Sequence, residues 1–320
     1  MFETPVRTLT AGTGAGLCNR LRVLLSGMAL AEATGRRFTM LWPRTPDCSA
    51  AFTDLFDSPW PVREVAAREV KILRRTFGHW HSAYDPLIAD AADLCIISYS
   101  WLLAPDRFPA HGPLMRRCEE MLESMQPATD IQKRVDAFHR SAFRPRMIGV
   151  HLRRADLQLG DPIAAANTQH AMSAVDACLE QYPDAGIFLC TDDGAIHQYT
   201  GKSLPLEGVR AKFRRRYGDR VVFTVPRSLD RREPVAIRDA LVDLWLLRRT
   251  HCFVGTGGSS FSRLAAFGRT VPVTFCRSRH PLRHLIPVLH WLRGHRRLRW
   301  LAGYYWRGIR SRVVRSLRHN

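Results

Sequence analysis

The sequence predicts an α/β protein built from two Rossmann-like units that face each other across a cleft. Three observations carry this expectation. A strand, a turn, a helix and a second strand follow one another from residue 6, and a similar series starts afresh at Met147. Successive parallel strands need a covering crossover, so each series implies a parallel sheet with helices on its faces. Glycines, adjacent arginines, paired aspartates and serines gather at the ends of the expected strands, where open α/β sheets hold ligands.

The elements follow in order. Residues 6–11 read as a strand, Gly12-Thr-Gly-Ala-Gly16 as a turn, and the segment from near Asn19 to Thr34 as a helix stopped by Gly35. Phe38–Trp42 is the next strand, residues 44–93 show no sustained period, and Leu94–Ser98 is a short apolar strand. Residues 114–140 look helical with an interruption at Pro127. The second series reads as strands at Met147–Leu152, Gly186–Thr191, Val221–Val225, Cys252–Gly255 and Val271–Phe275. Its helices are Ala164–Gln181, Val235–Arg249 and Phe261–Phe267. The expected organisation is an N-terminal unit over 1–143, a C-terminal unit over 144–276 and a basic aromatic tail over 277–320.

Composition narrows the class. An apolar share of 46% with 24% charged residues suits a globular core rather than a disordered or fibrous chain. The eight cysteines are scattered without a CxxC pair, which predicts reduced thiols rather than a disulfide framework or a zinc site. The N-terminus lacks a signal layout, and Arg22, Glu32, Arg36 and Arg37 interrupt the apolar stretch from Leu21 to Trp42. A cytoplasmic protein is therefore expected. The net charge of +19 is lopsided: the first 243 residues hold 32 basic against 29 acidic groups, and the last 77 hold 16 arginines and no acid.

Four segments carry candidate chemistry. Gly12-Thr-Gly-Ala-Gly-Leu-Cys-Asn-Arg20 lets backbone NH groups approach an anion at a helix start, or serves only as a tight turn. Gly149-Val-His-Leu-Arg-Arg-Ala-Asp156 ends a strand with two guanidiniums suited to phosphate, unless Asp156 pairs one of them in a solvated turn. Leu189-Cys-Thr-Asp-Asp193 offers two carboxylates; a helix-capping role is more economical than a metal, because no DxD occurs in the chain. Gly255-Thr-Gly-Gly-Ser-Ser-Phe-Ser262 can hold phosphate or cap the next helix through Ser259 or Ser260. Asp239 and Asp243 share one face of the preceding helix, and Asp243 sits in an apolar run that implies a specific partner.

In order and spacing these segments resemble the fucosyltransferase superfamily that includes the bacterial Nod-factor and core α1,6-fucosyltransferases and the protein O-fucosyltransferases. The resemblance runs from residue 12 to about 276, with Gly149–Asp156, Phe188–Asp193 and Val254–Leu264 matching its three motifs and Gly16–Arg20 its N-terminal loop. It implies a GT-B architecture, a GDP-linked donor, usually GDP-fucose, a saccharide acceptor, inversion at the anomeric carbon and no metal or other cofactor. By position it implies that His151, Arg153 and Arg154 contact the nucleotide, with Arg153 on the pyrophosphate. Asp243 would accept from guanine NH groups. Ser259 or Ser260 would bind phosphate, and Gly16, Asn19 and Arg20 would complete the donor site. The α1,6 members carry a catalytic glutamate ten residues after the motif histidine; here that position is Asp161, and their lysine after the motif aspartate is Leu157. Asp161 is the first candidate for the base and Asp156 the second.

The tail interleaves twelve arginines with Trp291, Trp300, Tyr304, Tyr305 and Trp306. Such a mixture suits the interface of an anionic bilayer, which predicts peripheral attachment to the inner face of the cytoplasmic membrane and work on a lipid-linked or surface saccharide. A tail packed back on the enzyme is the other reading. Nucleic acid is not expected as a partner, because no nucleic-acid motif accompanies the arginines.

Overall fold

The computed structural model describes residues 7–57, 59–77, 87, 93–154, 161–194 and 208–276. The tail and Asp156 lie outside them, as do residues 195–207. The first series forms β1 (Thr8–Gly12), α1 (Leu17–Thr34), β2 (Arg37–Pro43), β3 (Val62–Val65), α2 (Ala67–Phe77) and β4 (Asp93–Ile97). Two helices follow, α3 (His111–Ser124) and α4 (Thr129–Ala142). The second series is β5 (Met147–Leu152), α5 (Asp161–Gln181), β6 (Gly186–Thr191), α6 (Gly208–Tyr217), β7 (Val221–Val222), α7 (Pro234–Arg248), β8 (Cys252–Thr256), α8 (Ser260–Ala266) and β9 (Val273–Cys276).

Both sheets are parallel, with strand orders β3-β2-β1-β4 and β7-β6-β5-β8-β9. In each, the chain builds outward to one side and then crosses back, so the strand order reverses between β1 and β4 and between β5 and β8. These are the switch points at which open α/β sheets leave a crevice. The expected strands at 6–11, 38–42, 147–152 and 186–191 are present within a residue or two. β7 is shorter than expected. β3, α2 and α6 were not legible: β3 and α2 lie in a stretch without period, and α6 is arginine-rich and short.

β5 and β6 are buried at every residue, as expected of strands covered on both faces. Met147, Phe188, Cys190 and Phe253 point into one core, shared with residues of α1, α3, α4, α7 and α8. Ile148, Val150, Leu152, Ile187, Leu189 and Val254 point into a second core under α5 and α6. The first core is continuous between the two sheets, since it also takes Leu9, Ala11, Met40 and Trp42 from β1 and β2. The interface is polar at its rim. Arg238 of α7 donates to the Asp54 carbonyl and to Asp130, while Asp239 takes Arg134 of α4 at 2.7 Å and Arg227 at 2.8 Å.

α5 packs on β8, and the sulfurs of Cys178 and Cys252 are brought together there, the one place where the expectation of separate thiols is in question, with Cα atoms 7.1 Å apart, wider than the usual span of a disulfide. The remaining six cysteines are free thiols. Among the described residues no helix is long and apolar enough to cross a membrane.

α1 ends as expected, with Gly35 in the left-handed region at φ 61°. In its middle, Gly27 lets the helix lie directly on β2: a methyl group there would stand 2.4 Å from the Phe38 ring. Gly27→Ala is expected to cost about 1–3 kcal/mol through overpacking. Denaturant unfolding would show this as a lower midpoint at unchanged slope, and an unchanged midpoint would mean that α1 has room to move.

Candidate functional site

The first switch point is closed by hydrogen bonds within the glycine-rich turn. Arg20 is fully buried. Its guanidinium donates to the carbonyls of Ala15 (2.7 Å) and Pro43 and to Thr45 Oγ1 (2.8 Å), while Thr45 Oγ1 donates to Gly14 O (3.2 Å). Gly16 precedes α1 in extended backbone, and Asn19 on its first turn accepts from Arg22. On the other side, Ser98 after β4 donates its NH to Gly12 O at 3.1 Å. Arg20, expected at the ligand, is thus placed inside the loop and holds its shape. Arg22, which the sequence showed only as a charge interrupting an apolar helix, donates to Asn19 on the first turn of α1 and acts electrostatically on Cys18.

The second switch point is joined by side-chain hydroxyls. The β5–β8 ladder ends at His151 opposite Gly255. Thr256 then donates its hydroxyl to His151 O and accepts the Arg153 NH, both at 2.9 Å. His151 is buried, its Nδ1 lies 2.6 Å from Ser262 Oγ, and its ring packs on Phe261 at 4.7 Å. Ser262 also receives the Thr256 NH at 3.0 Å. Ser259 is the N-cap of α8 and accepts from Ser262 N, so the capping reading describes its bond, while Ser260 stands part-exposed on the first turn. Thr256 and Ser262 lie inside the motif that the sequence picked out, but nothing in the residue order distinguishes them from their serine neighbours.

Arg154 and the aspartate pair are tied to each other. Arg154 NH1 meets Asp193 at 2.7 Å, and its backbone NH donates to Asp192 at 2.7 Å. Asp193 is fully buried and also accepts from Val209 N, so it caps α6 across the intervening chain. That is the helix-capping role expected of this segment, and among the described residues Arg154 is paired with Asp193; the pairing expected of Asp156 lies outside them. Asp161 is the first residue of α5, close in sequence to the end of β5.

Asp239 and Asp243 share a helix face but not a fate. Asp239 is neutralised by Arg134 and Arg227 at the interface. The Asp243 carboxyl accepts from Thr224 Oγ1 at 2.5 Å and from the Cys190 thiol, with Arg210 nearby. Burial pushes it from 3.8 up to about 6 in spite of those partners. A carboxyl whose folded pKa is raised stabilises the fold most at low pH, and it withdraws that contribution as pH rises from about 4 through 6.

Cys18, on the first turn of α1, senses charge from both switch points. This buried thiol feels the charges of Arg22, Arg153 and Arg231 together, from α1, from the end of β5 and from the loop before α7. Burial nevertheless pushes it up to about 12, which leaves it a thiol and not a nucleophile. The loop carrying Arg231 is held across the interface, where its carbonyl accepts the Ser49 NH at 3.3 Å. Charge from three guanidiniums acting at one helix start suits a polyanion such as a pyrophosphate. Arg231 carried no sequence signal, because it lies outside every strand-end motif.

No protein-family model matches the chain, and no curated protein matches it by sequence. Solved structures match its fold. A NodZ α-1,6-fucosyltransferase soaked with GDP-fucose superposes with a TM-score of 0.58 at 20% identity, covering 84% of this chain and 94% of that one. The fucosyltransferase NodZ from Bradyrhizobium gives 0.53 at 18% identity, with 82% and 92% covered. A mutant of Arabidopsis thaliana FUT1 in complex with GDP gives 0.54 at 13% identity, with 87% and 72% covered. The chain thus has the two-sheet GT-B fold expected from its sequence.

Asp193 offers a test of the site's frame. Asp193→Ala strands Arg154 and uncaps α6, so it is expected to destabilise the protein by about 3–5 kcal/mol, as for one partner removed from a buried pair. Thermal unfolding measures this. A loss below about 1 kcal/mol would place the pair among idle surface bridges.

Proposed function

We propose that this chain, with the fold of GDP-bound fucosyltransferases, is a glycosyltransferase that takes a GDP-linked sugar, GDP-fucose in the first instance, and transfers the sugar to a saccharide hydroxyl. The observation that carries the reading is that Arg22 of α1, Arg153 at the end of β5 and Arg231 of the loop before α7 all act electrostatically on Cys18 at the start of α1. A nucleoside diphosphate leaving group fits that charge. As the bond to C1 of the sugar breaks, negative charge grows on the β-phosphate, and fixed guanidiniums stabilise it without reorganising. His151 and Arg153 hold the diphosphate, and the first turn of α1 with Gly16 and Asn19 closes over it. Arg154 acts beneath them, through Asp193.

The guanine is assigned to Asp243, whose carboxylate accepts from the ring NH groups, beside the exposed Val225. The acceptor hydroxyl loses its proton to a carboxylate as it attacks C1 from the opposite face, with inversion. Asp161 at the start of α5 is the first choice for that base and Asp156 the second. The arginines take the part that a divalent ion plays in metal-dependent transferases. The unit boundary falls at 143/144, with the acceptor on the N-terminal side. A cavity of about 460 Å³ at the carboxyl ends of β2 and β3, lined by Arg44, Glu64 and Glu69, supports this, because carboxylates and guanidiniums bind sugar hydroxyls. The arginine-rich tail holds the enzyme at an anionic membrane surface on the cytoplasmic side, where a lipid-linked or surface saccharide is within reach.

Two measurements test the reading. Purified protein in EDTA is expected to bind and slowly hydrolyse GDP-fucose in preference to UDP- and ADP-sugars. Arg153→Ala should weaken GDP binding about ten- to a hundredfold, the worth of one charge-assisted hydrogen bond. No affinity for any GDP compound would sink the proposal. The second measurement is the pH dependence of GDP affinity. With the Asp243 carboxyl at about 6, affinity should be level above pH 7 and fall by up to tenfold per pH unit below about 6, as the acceptor for guanine is protonated. Calorimetry from pH 5 to 8 would show it, and Asp243→Asn should abolish the slope.

A further inference from the structure

We infer that Ser262 fixes the tautomer of His151, placing its proton on Nε2 and so turning the ring into a hydrogen-bond donor towards the phosphates. The tautomer stands on geometry alone; the phosphate as its recipient rests on the function proposed above.

The argument is a count of protons. Ser262 is fully buried and its hydroxyl carries one hydrogen. The Thr256 NH points at Ser262 Oγ from 3.0 Å and uses one lone pair. The nearest remaining partner is His151 Nδ1 at 2.6 Å. The Ser262 backbone NH goes to Ser259 Oγ and takes no part. If Nδ1 carried the ring proton, Ser262 Oγ would accept two hydrogen bonds and its own hydrogen would be stranded, since among the described residues no further acceptor is bonded to it. A buried donor without a partner is costly, so the hydroxyl donates to Nδ1 and the ring proton sits on Nε2.

The surroundings hold this arrangement in place. Thr256 pins the His151 carbonyl at 2.9 Å, and Phe261 lies along the ring. Gly255 lets α8 approach the strand: a methyl there would come within 2.9 Å of Ser262 Cβ and 2.7 Å of the Phe253 ring. The first glycine, the threonine and the last serine of Gly255-Thr-Gly-Gly-Ser-Ser-Phe-Ser262 thus serve one end, a fixed donor edge on His151. Nε2 lies on the ring edge turned away from Ser262. With the other tautomer that edge would present a lone pair to a phosphate oxygen, which repels it. Ser262 is a positioning residue, acting through the histidine.

The test uses the whole protein labelled with ¹⁵N-histidine, with His151→Gln to assign the signal. Long-range ¹H–¹⁵N spectra without nucleotide are expected to show His151 as the Nε2–H tautomer. In Ser262→Ala the tautomers should mix, and GDP affinity should fall about tenfold while thermal unfolding stays cooperative. A wild-type spectrum with the proton on Nδ1 overturns the inference, and it decides the matter even if Ser262→Ala does not fold. An Nε2–H tautomer that persists in Ser262→Ala overturns it too, because Ser262 is then not its cause. A tautomer that shifts with unchanged GDP affinity removes the donor role. Wild-type protein that fails to bind GDP overturns the proposed function instead, and the spectrum still decides the tautomer.

Discussion

The Thr256 hydroxyl holds together the part of the molecule on which the site depends. The β5–β8 ladder stops at His151 and Gly255, and beyond that point parallel strands would splay apart to form the crevice. Thr256 carries the pairing one step further with its side chain, donating to the His151 carbonyl and accepting from Arg153. The crevice therefore opens beyond Arg153 and not before it. His151 is buried there and Arg153 half-buried, and the side chains of both take their direction from a fixed backbone. One hydroxyl supplies it, and Ser262 does the same for the imidazole.

The second constraint is the joint between the sheets. The core that runs under α1, α3, α4, α7 and α8 is continuous, so the halves are not free of each other at that face. Asp239 gathers Arg134 and Arg227 there, and removing either arginine would leave a buried carboxylate short of its charge balance. The consequence for the site is distance: Cys18 feels arginines from both sides because the joint sets the switch points opposite one another.

Four aspartates illustrate what local sequence reveals and what it hides. Asp192 and Asp193 stand at a strand end, and their capping role was legible because carboxylates at such a place so often receive backbone NH groups. That Asp193 would also take Arg154 was not, since the two follow different strands of the sheet. Asp239 and Asp243 were legible as one helical face, from their spacing of four. Which of them would be neutralised and which would keep a raised carboxyl depends on Arg134, Arg227 and Thr224, which reach the helix from elsewhere.

From the sequence alone came the parallel α/β units, the positions of β1, β2, β4, β5, β6 and β8, and the strand-end motifs, because periodicity, glycine stops and apolar runs are local properties of the chain. Arg20 shows the limit: its place beside a glycine-rich turn makes it a ligand candidate, yet three acceptors that enclose it in the folded loop leave it structural. Arg22 and Arg231 show the converse, since neither lies in a motif and both act on Cys18 through the packing of α1 and the loop before α7. Tertiary structure alone decided which arginines are enclosed by acceptors and which bear on Cys18. A guanidinium has the same chemistry wherever it occurs, and its role is set by what surrounds it, often from the other half of the chain.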